Sequence, residues 1–573
     1  MRWIRDVEPK QSELDRKRSD AKPFPNCPRV ATVVPVSRSN MDGNLASIRS
    51  VLDQTYRRWQ LRLVVDQGQE TEILDLAAQF EEDDRVKVVL MPESNQPELE
   101  FADVLSLEDV EHAAVLYPGD LLAPNALWEV AKVLNERPEV DLIYSDQDRM
   151  DPRGSRRKNP WFKPDWSPEL LLSVNYLYPA FIRMSLIEAT PDMTALLDYE
   201  TAWGFLLTWT REASNIVHIP RVLCHVGSGT EDWKPLPAGD DRAPASGAET
   251  VGKYVQNLGV VGADAQMMAL NSVRVVWPSR TALVSIIIPS RDNSRWLKRC
   301  IDSLQNLTMR PPFEVILVDN QSQEAETRRL YERIELDSRI RVVPFEQPFN
   351  FSAANNIGAS QSQGELLLFL NDDVEIIDDG WLEEMARWAE WPEIGVVGAK
   401  LLYPDFTIQH AGIVLGMGGH AGHIFWGVRE GESGPLGSTE WYRNYMAVTG
   451  ACMMIPRRIF NQVGGFDERY RIAFGDVDIC LRIHERGYRV LYTPFARLLH
   501  REGATRGRFV PADDMWLAYR EFSPYLRSGD PYFNPNLSYK TSYPRLSSEP
   551  EDRVEQLRRI MAKSSKDVTM KYK

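Results

Sequence analysis

The chain has 573 residues, 43% apolar and 26% charged, the composition of an ordinary globular protein, and its length calls for roughly two to four domains rather than one core. A formal net charge of −15 argues against a general nucleic-acid binder, which needs clustered Lys and Arg to neutralise phosphate. Five scattered cysteines (Cys27, Cys224, Cys300, Cys452 and Cys480) without a CxxC pair indicate neither a disulfide framework nor a zinc site.

Residues 1–29 read as a charged leader that lacks the apolar segment of a signal peptide, and no later stretch approaches about 18 uninterrupted apolar residues. A cytoplasmic protein is expected. From "ATVVPVSR" (31–38) onward, β-branched runs alternate with helical patterns, and the same opening returns as "VSIIIPSR" (284–291). Pro35 lies 31 residues before Asp66 and Pro289 lies 30 before Asp319, while Asp66–Asp120 and Asp319–Asp373 are both separated by 54. Two copies of one domain account for this spacing. Patterns such as "SRWLKRCIDSLQNL" and "EAETRRLYERIEL" supply crossover helices, so each copy is expected to be an α/β domain with a mostly parallel sheet.

The copies are unequal. The first has Pro118-Gly119-Asp120 where the second has Asn371-Asp372-Asp373, and it spans 78 residues from Asp120 to Asp198 against 103 from Asp373 to Asp476. A shortened, degenerate first domain at 30–226 is therefore expected, then a linker with a short helix and strand at 227–282, a catalytic domain at 283–528 and a tail at 529–573.

In such sheets the carboxyl ends of the strands form the ligand crevice, and Arg291, Asp319 and Asp373 fall at such ends. The run "GELLLFL" stops on Asp372 and Asp373, a pair that suits Mg²⁺ or Mn²⁺ completed by phosphate oxygens and water, but that also suits a solvated turn. Asp476 opens a helical pattern in "FGDVDICLRIHERGYRV", either as a cap or as a base at the mouth of the crevice. His500 ends an apolar strand, mirrored by His225 in the first copy. Thr449 and Gly450, small residues ahead of an apolar strand, suit close approach of a bound molecule or equally tight packing. The glycine-rich "GIVLGMGGHAGHIFWG" (412–427) does not fit a phosphate loop and reads as a flexible loop over the site; its histidines, with His410, read as loop residues.

Together "VSIIIPSRD", "VILVDNQS", "NFSAANNIGA", "LLLFLNDDVE", "VVGAKLLYPD", "TGACMMIPRRIF", "VGGFDE", "FGDVDICLR" and "LLH" resemble, in order over about 284–505, a family 2 glycosyltransferase of the GT-A fold. The first copy is similar to the N-terminal region of two-domain bacterial members that build surface polysaccharides, rhamnosyltransferases among them. The resemblance implies tandem GT-A domains and inverting, metal-dependent hexosyl or rhamnosyl transfer from a nucleotide-diphosphate sugar to a saccharide or lipid-linked glycan. It further implies that Pro289, Arg291, Asp319, Asn356 and Asp372 line the nucleotide site, that Asp373 and His500 hold Mg²⁺ or Mn²⁺, and that Asp476 is the base. Thr449, Gly450 and Asp478 are candidate acceptor contacts. Family members often carry Glu before the base, and here the residue is Gly475. No nucleic-acid partner is expected; peripheral association with the cytoplasmic face of the inner membrane or an export complex is. The competing expectation is a non-catalytic nucleotide-sugar or glycan-binding scaffold.

Overall fold

The computed structural model describes residues 8–20, 23–36, 40–66, 80, 83–91, 107, 109–151, 156–189, 199–227, 247–268, 272–278, 282–306, 311–501 and 510–547, with isolated positions beyond. The chain divides into two compact units, Met1–Tyr254 with Pro435–Gly437, and Val255–Gly434 with Ser438–Lys573.

The first unit is built on β1 (Val30–Pro35), β2 (Trp59–Asp66), β3 (Val86–Met91), β4 (His112–Val115), β5 (Leu121–Leu122), β6 (Leu142–Met150), β7 (Arg157–Trp161), β8 (Ala180–Arg183) and β9 (Ile216–Val226). They form one sheet in the order β3-β2-β1-β4-β8-β6-β9-β5, with β7 on β6. The helix Gln11–Ser19 in the leader packs onto this unit through buried Lys17, whose Nζ lies 2.9 Å from Glu129 Oε1. The chain continues with the helix Gly247–Asn257, within which the two units meet in sequence, and the hairpin β10 (Asp264–Met267) with β11 (Val273–Val276). Residues 228–246 of the linker lie outside the described residues.

The second unit carries β12 (Val284–Ser290), β13 (Phe313–Asp319), β14 (Ile340–Pro344), β15 (Leu366–Leu370), β16 (Val374–Ile376), β17 (Ile394–Leu402) and β18 (Ile408–His410). It continues with β19 (Ile413–Leu415), β20 (Ala421–His423), the two-residue β21 (Ser433–Gly434) and β22 (Gly437–Ser438), β23 (Arg443–Tyr445), β24 (Cys452–Pro456) and β25 (Arg489–His500). Its main sheet runs β14-β13-β12-β15-β24-β17-β25-β16, strand for strand the order of the first. The duplication read from four spacings is thus a duplication of topology. Both sheets are mixed rather than uniformly parallel: β14, β13, β12 and β15 run parallel, and β24 enters antiparallel between β15 and β17. The second unit is longer because β18–β23 lie between its strands β17 and β24, where the described residues of the first place β7 alone between β6 and β8.

The helices obey the 3.6-residue period. In Ser294–Asn306 the buried positions are Leu297, Cys300, Ile301 and Leu304, so Cys300 belongs to an apolar stripe on the sheet. All five cysteines are buried, and none is in a disulfide. Gly358 lets the helix Phe351–Ser360 lie close on the sheet, since a Cβ there would meet Ile287 Cγ2 at 2.4 Å. The glycine-rich stretch expected as a flexible loop is instead the hairpin β19–β20, turned at Gly416, Gly418 and Gly419, all at positive φ. Residues from the expected tail cover it: Gly418 N donates to Tyr539 O (3.0 Å), Phe425 N to Ser542 O (2.7 Å) and Leu415 N to Asp530 Oδ2 (2.8 Å).

Candidate active site

In the second unit β12 and β13 run in parallel register with Ser290 opposite Asp319, so both strands end at one level. Beyond β12 the turn is locked by Asp292, whose Oδ1 accepts from Gln323 N (2.7 Å) and Glu324 N (2.8 Å) in the loop after β13. That lock leaves Arg291 exposed and Pro289 half-buried at the rim. Asp319 Oδ1 accepts from Ser322 N and from Tyr331 Oη, both at 3.1 Å. Burial, and secondarily the Asp319 charge, push the Tyr331 hydroxyl up, so it stays protonated as a donor. Both bonds fall on Oδ1, which leaves Oδ2 for an incoming donor.

β15 is buried along its whole length and ends at Asn371-Asp372-Asp373. Asp372 turns toward β12, where Ser290 Oγ donates to its Oδ2 at 2.6 Å. Burial pushes the Asp372 carboxyl up to about 6, against the opposing Ser290 bond and with the Asp373 charge adding to the rise. Asp373 turns the other way. Because β16 pairs antiparallel with β25 in the register Val374↔His500, His500 arrives beside it, with Nε2 at 3.2 Å from Asp373 Oδ1. Asp373 and His500 are 7% and 5% exposed. His500 Nδ1 meets Gln409 Oε1 at 3.2 Å, and an amide oxygen can only accept, so Nδ1 is the donor of that bond. Nε2 on the other side faces the Asp373 carboxylate oxygen, and a cation between the two, in place of a proton on Nε2, suits that pair. Ligands at right angles on a six-coordinate Mg²⁺-like ion at about 2.1 Å stand about 3.0 Å apart, close to the separation observed. Among the described residues no group of three or more such ligands occurs, so an ion here would complete its shell with phosphate oxygens and water, as Mg²⁺ commonly does.

Asp476 sits in the first turn of the helix Gly475–His484, preceded by Phe474 at φ +65°. Its Oδ2 accepts from Gly450 N and its Oδ1 from Val477 N, both at 2.9 Å. The next residue of the same segment, Ala451, accepts from Asn371 N at 3.0 Å through its carbonyl. One short stretch, Thr449–Ala451, thus ties the carboxylate pair to Asp476. Gly450 permits this approach, since a Cβ there would stand 3.3 Å from both Asp476 Cβ and the Phe351 ring. Gly475 has a local cause too: a Cβ would lie 2.8 Å from Ser352 Oγ, which is itself committed to Tyr470 O, so a Glu finds no room.

Two expected residues are otherwise engaged. Asn356 exchanges both amide bonds with the Phe466 backbone (2.9 Å each) and reaches Glu468, pinning the loop before the Asp476 helix. Asp478 is buried against Arg482, with Nη2 at 2.6 Å. Sequence reasoning passed over Ser290, Gln409 and Tyr331. Ser290 is a polar residue at the end of a strand-like run, a signal the sequence carries, whereas the role of Gln409 depends on a local irregularity that it does not.

The first unit repeats the register, Leu121 of β5 standing opposite His225 of β9 as Val374 stands opposite His500. Its chemistry differs. Asp120 accepts from Tyr178 Oη (2.5 Å) and Gly227 N (2.8 Å), one on each oxygen, and His225 Nδ1 is turned to Asp148 at 2.7 Å. The side chain of Asp66 and all of Asp198 lie outside the described residues.

Residues 285–464 match the model of glycosyl transferase family 2. The second unit carries a domain of that family. O-antigen biosynthesis protein RfbC of Myxococcus xanthus is 36% identical over 531 residues, covering 92% of this chain and 41% of its own length. Uncharacterized protein y4gI of Sinorhizobium fredii is 34% identical, covering 91% of this chain and 59% of its own. The N-acetylglucosaminyl-diphospho-decaprenol L-rhamnosyltransferase of Mycobacterium tuberculosis is 28% identical over 244 residues, 37% of this chain and 74% of its own. The chain thus spans about half the length of the two relatives it matches end to end. Residues 285–464 include Asp319, Asp372 and Asp373, whereas Asp476 and His500 fall beyond them.

Proposed function

We propose that the second unit is an inverting glycosyltransferase that moves a hexosyl or rhamnosyl group from a nucleotide-diphosphate sugar to a saccharide or lipid-linked glycan during bacterial surface polysaccharide synthesis. One observation supports this reading: the segment Thr449–Ala451 joins the Asp372–Asp373–His500 corner to Asp476, which sets the residues proposed for the diphosphate and for the base on one short stretch. The O-antigen and rhamnosyltransferase relatives support the class of product and sugar.

Asp319 offers Oδ2 to the nucleotide base, between Pro289 and the exposed Arg291. Asp372, braced by Ser290, faces the ribose. Asp373 and His500 hold Mg²⁺ or Mn²⁺, which when bound offsets the charge of the departing diphosphate. Asp476 is held by two backbone N–H groups in one orientation and takes the proton of an acceptor hydroxyl approaching opposite the leaving group, a role worth about 10²–10⁴-fold in rate. A single displacement of that geometry inverts the anomeric carbon. Thr449 and Gly450 form the wall against which the acceptor lies.

For the first unit a non-catalytic role in acceptor binding or assembly is favoured, because both Asp120 oxygens are satisfied internally. No helix among the described residues is long and apolar enough to cross a membrane; we place the protein at the cytoplasmic face of the inner membrane, in peripheral contact with it or with an export complex. The experiment is a screen of nucleotide-sugar donors read by nucleotide release. Asp476→Asn is expected to abolish transfer while donor binding persists, and unchanged turnover removes Asp476 from the mechanism.

A further inference from the structure

The β17–β18 pair carries an irregularity at the site. Its register runs Leu401↔His410 and then Leu402↔Ile408, so Gln409 is the extra residue of a β-bulge. Bulges re-aim side chains, and this one directs two neighbours to different partners. His410 Nε2 accepts from Thr449 N at 3.4 Å, while Gln409, 3% exposed, turns its amide oxygen to His500 Nδ1 at 3.2 Å. On the other side of the ring, His500 Nε2 faces Asp373 Oδ1 at 3.2 Å and Asn371 Nδ2 at 3.4 Å. An imidazole whose Nε2 binds a cation carries its one hydrogen on Nδ1, where the Gln409 amide oxygen stands to accept it.

We infer that Gln409 is a positioning residue that holds His500 as its Nδ1–H tautomer, turning the Nε2 lone pair toward Asp373 and the cation the two residues bind. This role rests on the cation site proposed above. Groups that donate from behind to a metal-binding histidine or accept from it set its tautomer and ring orientation, and losing one typically costs about 10–100-fold in metal affinity. Gln409 touches neither cation nor substrate; it acts through His500.

The test uses the full chain labelled with ¹⁵N-histidine and loaded with Mg²⁺, with the His500 signal assigned by its loss in His500→Gln. The wild type is expected to show a protonated Nδ1 and an Nε2 without hydrogen. Gln409→Leu, which keeps the bulk and removes the acceptor, is expected to shift His500 toward the Nε2–H form and to weaken Mn²⁺ binding, followed by electron paramagnetic resonance of free Mn²⁺, by about 10–100-fold. Gln409→Glu retains an acceptor and is expected to preserve the tautomer. A wild-type His500 already protonated on Nε2 overturns the assignment even if neither variant folds, as does a Leu variant with unchanged tautomer and Mn²⁺ affinity. If the wild type binds no Mn²⁺, the cation site itself fails; unchanged Mn²⁺ affinity in the Leu variant leaves that site standing and removes Gln409 alone.

Discussion

Replacing Asp476 with Asn tests the catalytic reading at its most constrained point. The carboxylate accepts one backbone N–H on each oxygen, Gly450 on Oδ2 and Val477 on Oδ1, both at 2.9 Å. An Asn side chain has one oxygen, so one of those N–H groups must face an NH₂ group. An unmet donor of this kind costs about 1–3 kcal/mol, and losing a negative charge in the first turn of a helix removes about 0.3–1 kcal/mol more. The variant should therefore melt lower by several degrees, at about 2–4 °C per kcal/mol for a domain of this size. Loss of the base should raise the barrier by about 3–5 kcal/mol, the equivalent of about 10²–10⁴-fold in rate. The assay combines nucleotide release at saturating donor and acceptor, calorimetry of donor binding and differential scanning fluorimetry. Turnover should collapse with donor affinity retained and the melting point lowered. Turnover within about threefold of wild type, a barrier change under about 1 kcal/mol, refutes the role of Asp476.

Gly358→Ala should destabilise the second unit in urea titration: helix propensity gains about 1 kcal/mol, but a Cβ 2.4 Å from Ile287 Cγ2 and 3.0 Å from Val318 Cγ2 forces overpacking worth about 1–3 kcal/mol, and a more stable variant contradicts the close contact. His112 should make the first unit acid-sensitive. Its Nε2–H donates to Val140 O (2.8 Å), its Nδ1 has no partner, and burial holds its pKa at about 4 against 6.5 for an ordinary histidine. The unfolded chain takes up this proton below 6.5 and the folded chain does so only near 4, so a contribution fully present above pH 6.5 falls by about 3 kcal/mol as pH drops to 4. His112→Gln should flatten that part of the pH dependence of unfolding, and identical slopes would count against it. Asp120→Asn should leave sugar transfer unchanged, because Asp120 is tied to Tyr178 and Gly227 within the first unit; lost turnover would mean that the first unit takes part in the chemistry.

What the sequence makes legible is whatever depends on strand ends. A buried run such as "LLLFL" has to stop where its carboxylates meet solvent, and equal spacings in the two copies put Asp120 and Asp373 at one topological position, which the shared strand order bears out. The alternating β and helical runs likewise announce the α/β tandem. The antiparallel β24 is harder to see, because an apolar strand reads the same in either direction. Asn356 looks available in "NFSAANNIG", yet its amide pairs with Phe466, 110 residues away, and no local pattern carries a contact of that range. Gln409 depends on a bulge that propensity does not encode. The glycines of "GMGGHAG" signal positive φ, a requirement that a tight hairpin turn and an open loop share, and the tertiary partners Asp530, Tyr539 and Ser542 decide between them.

The central claim is that Asp373 and His500 grip a divalent cation which the sugar transfer requires. The most direct measurement is nucleotide release by the purified full chain with each donor in turn, in Mg²⁺, in Mn²⁺ and in excess chelator, beside Asp373→Ala. Release that depends on added cation and disappears in the variant is the expected result; equal turnover in chelator contradicts the account.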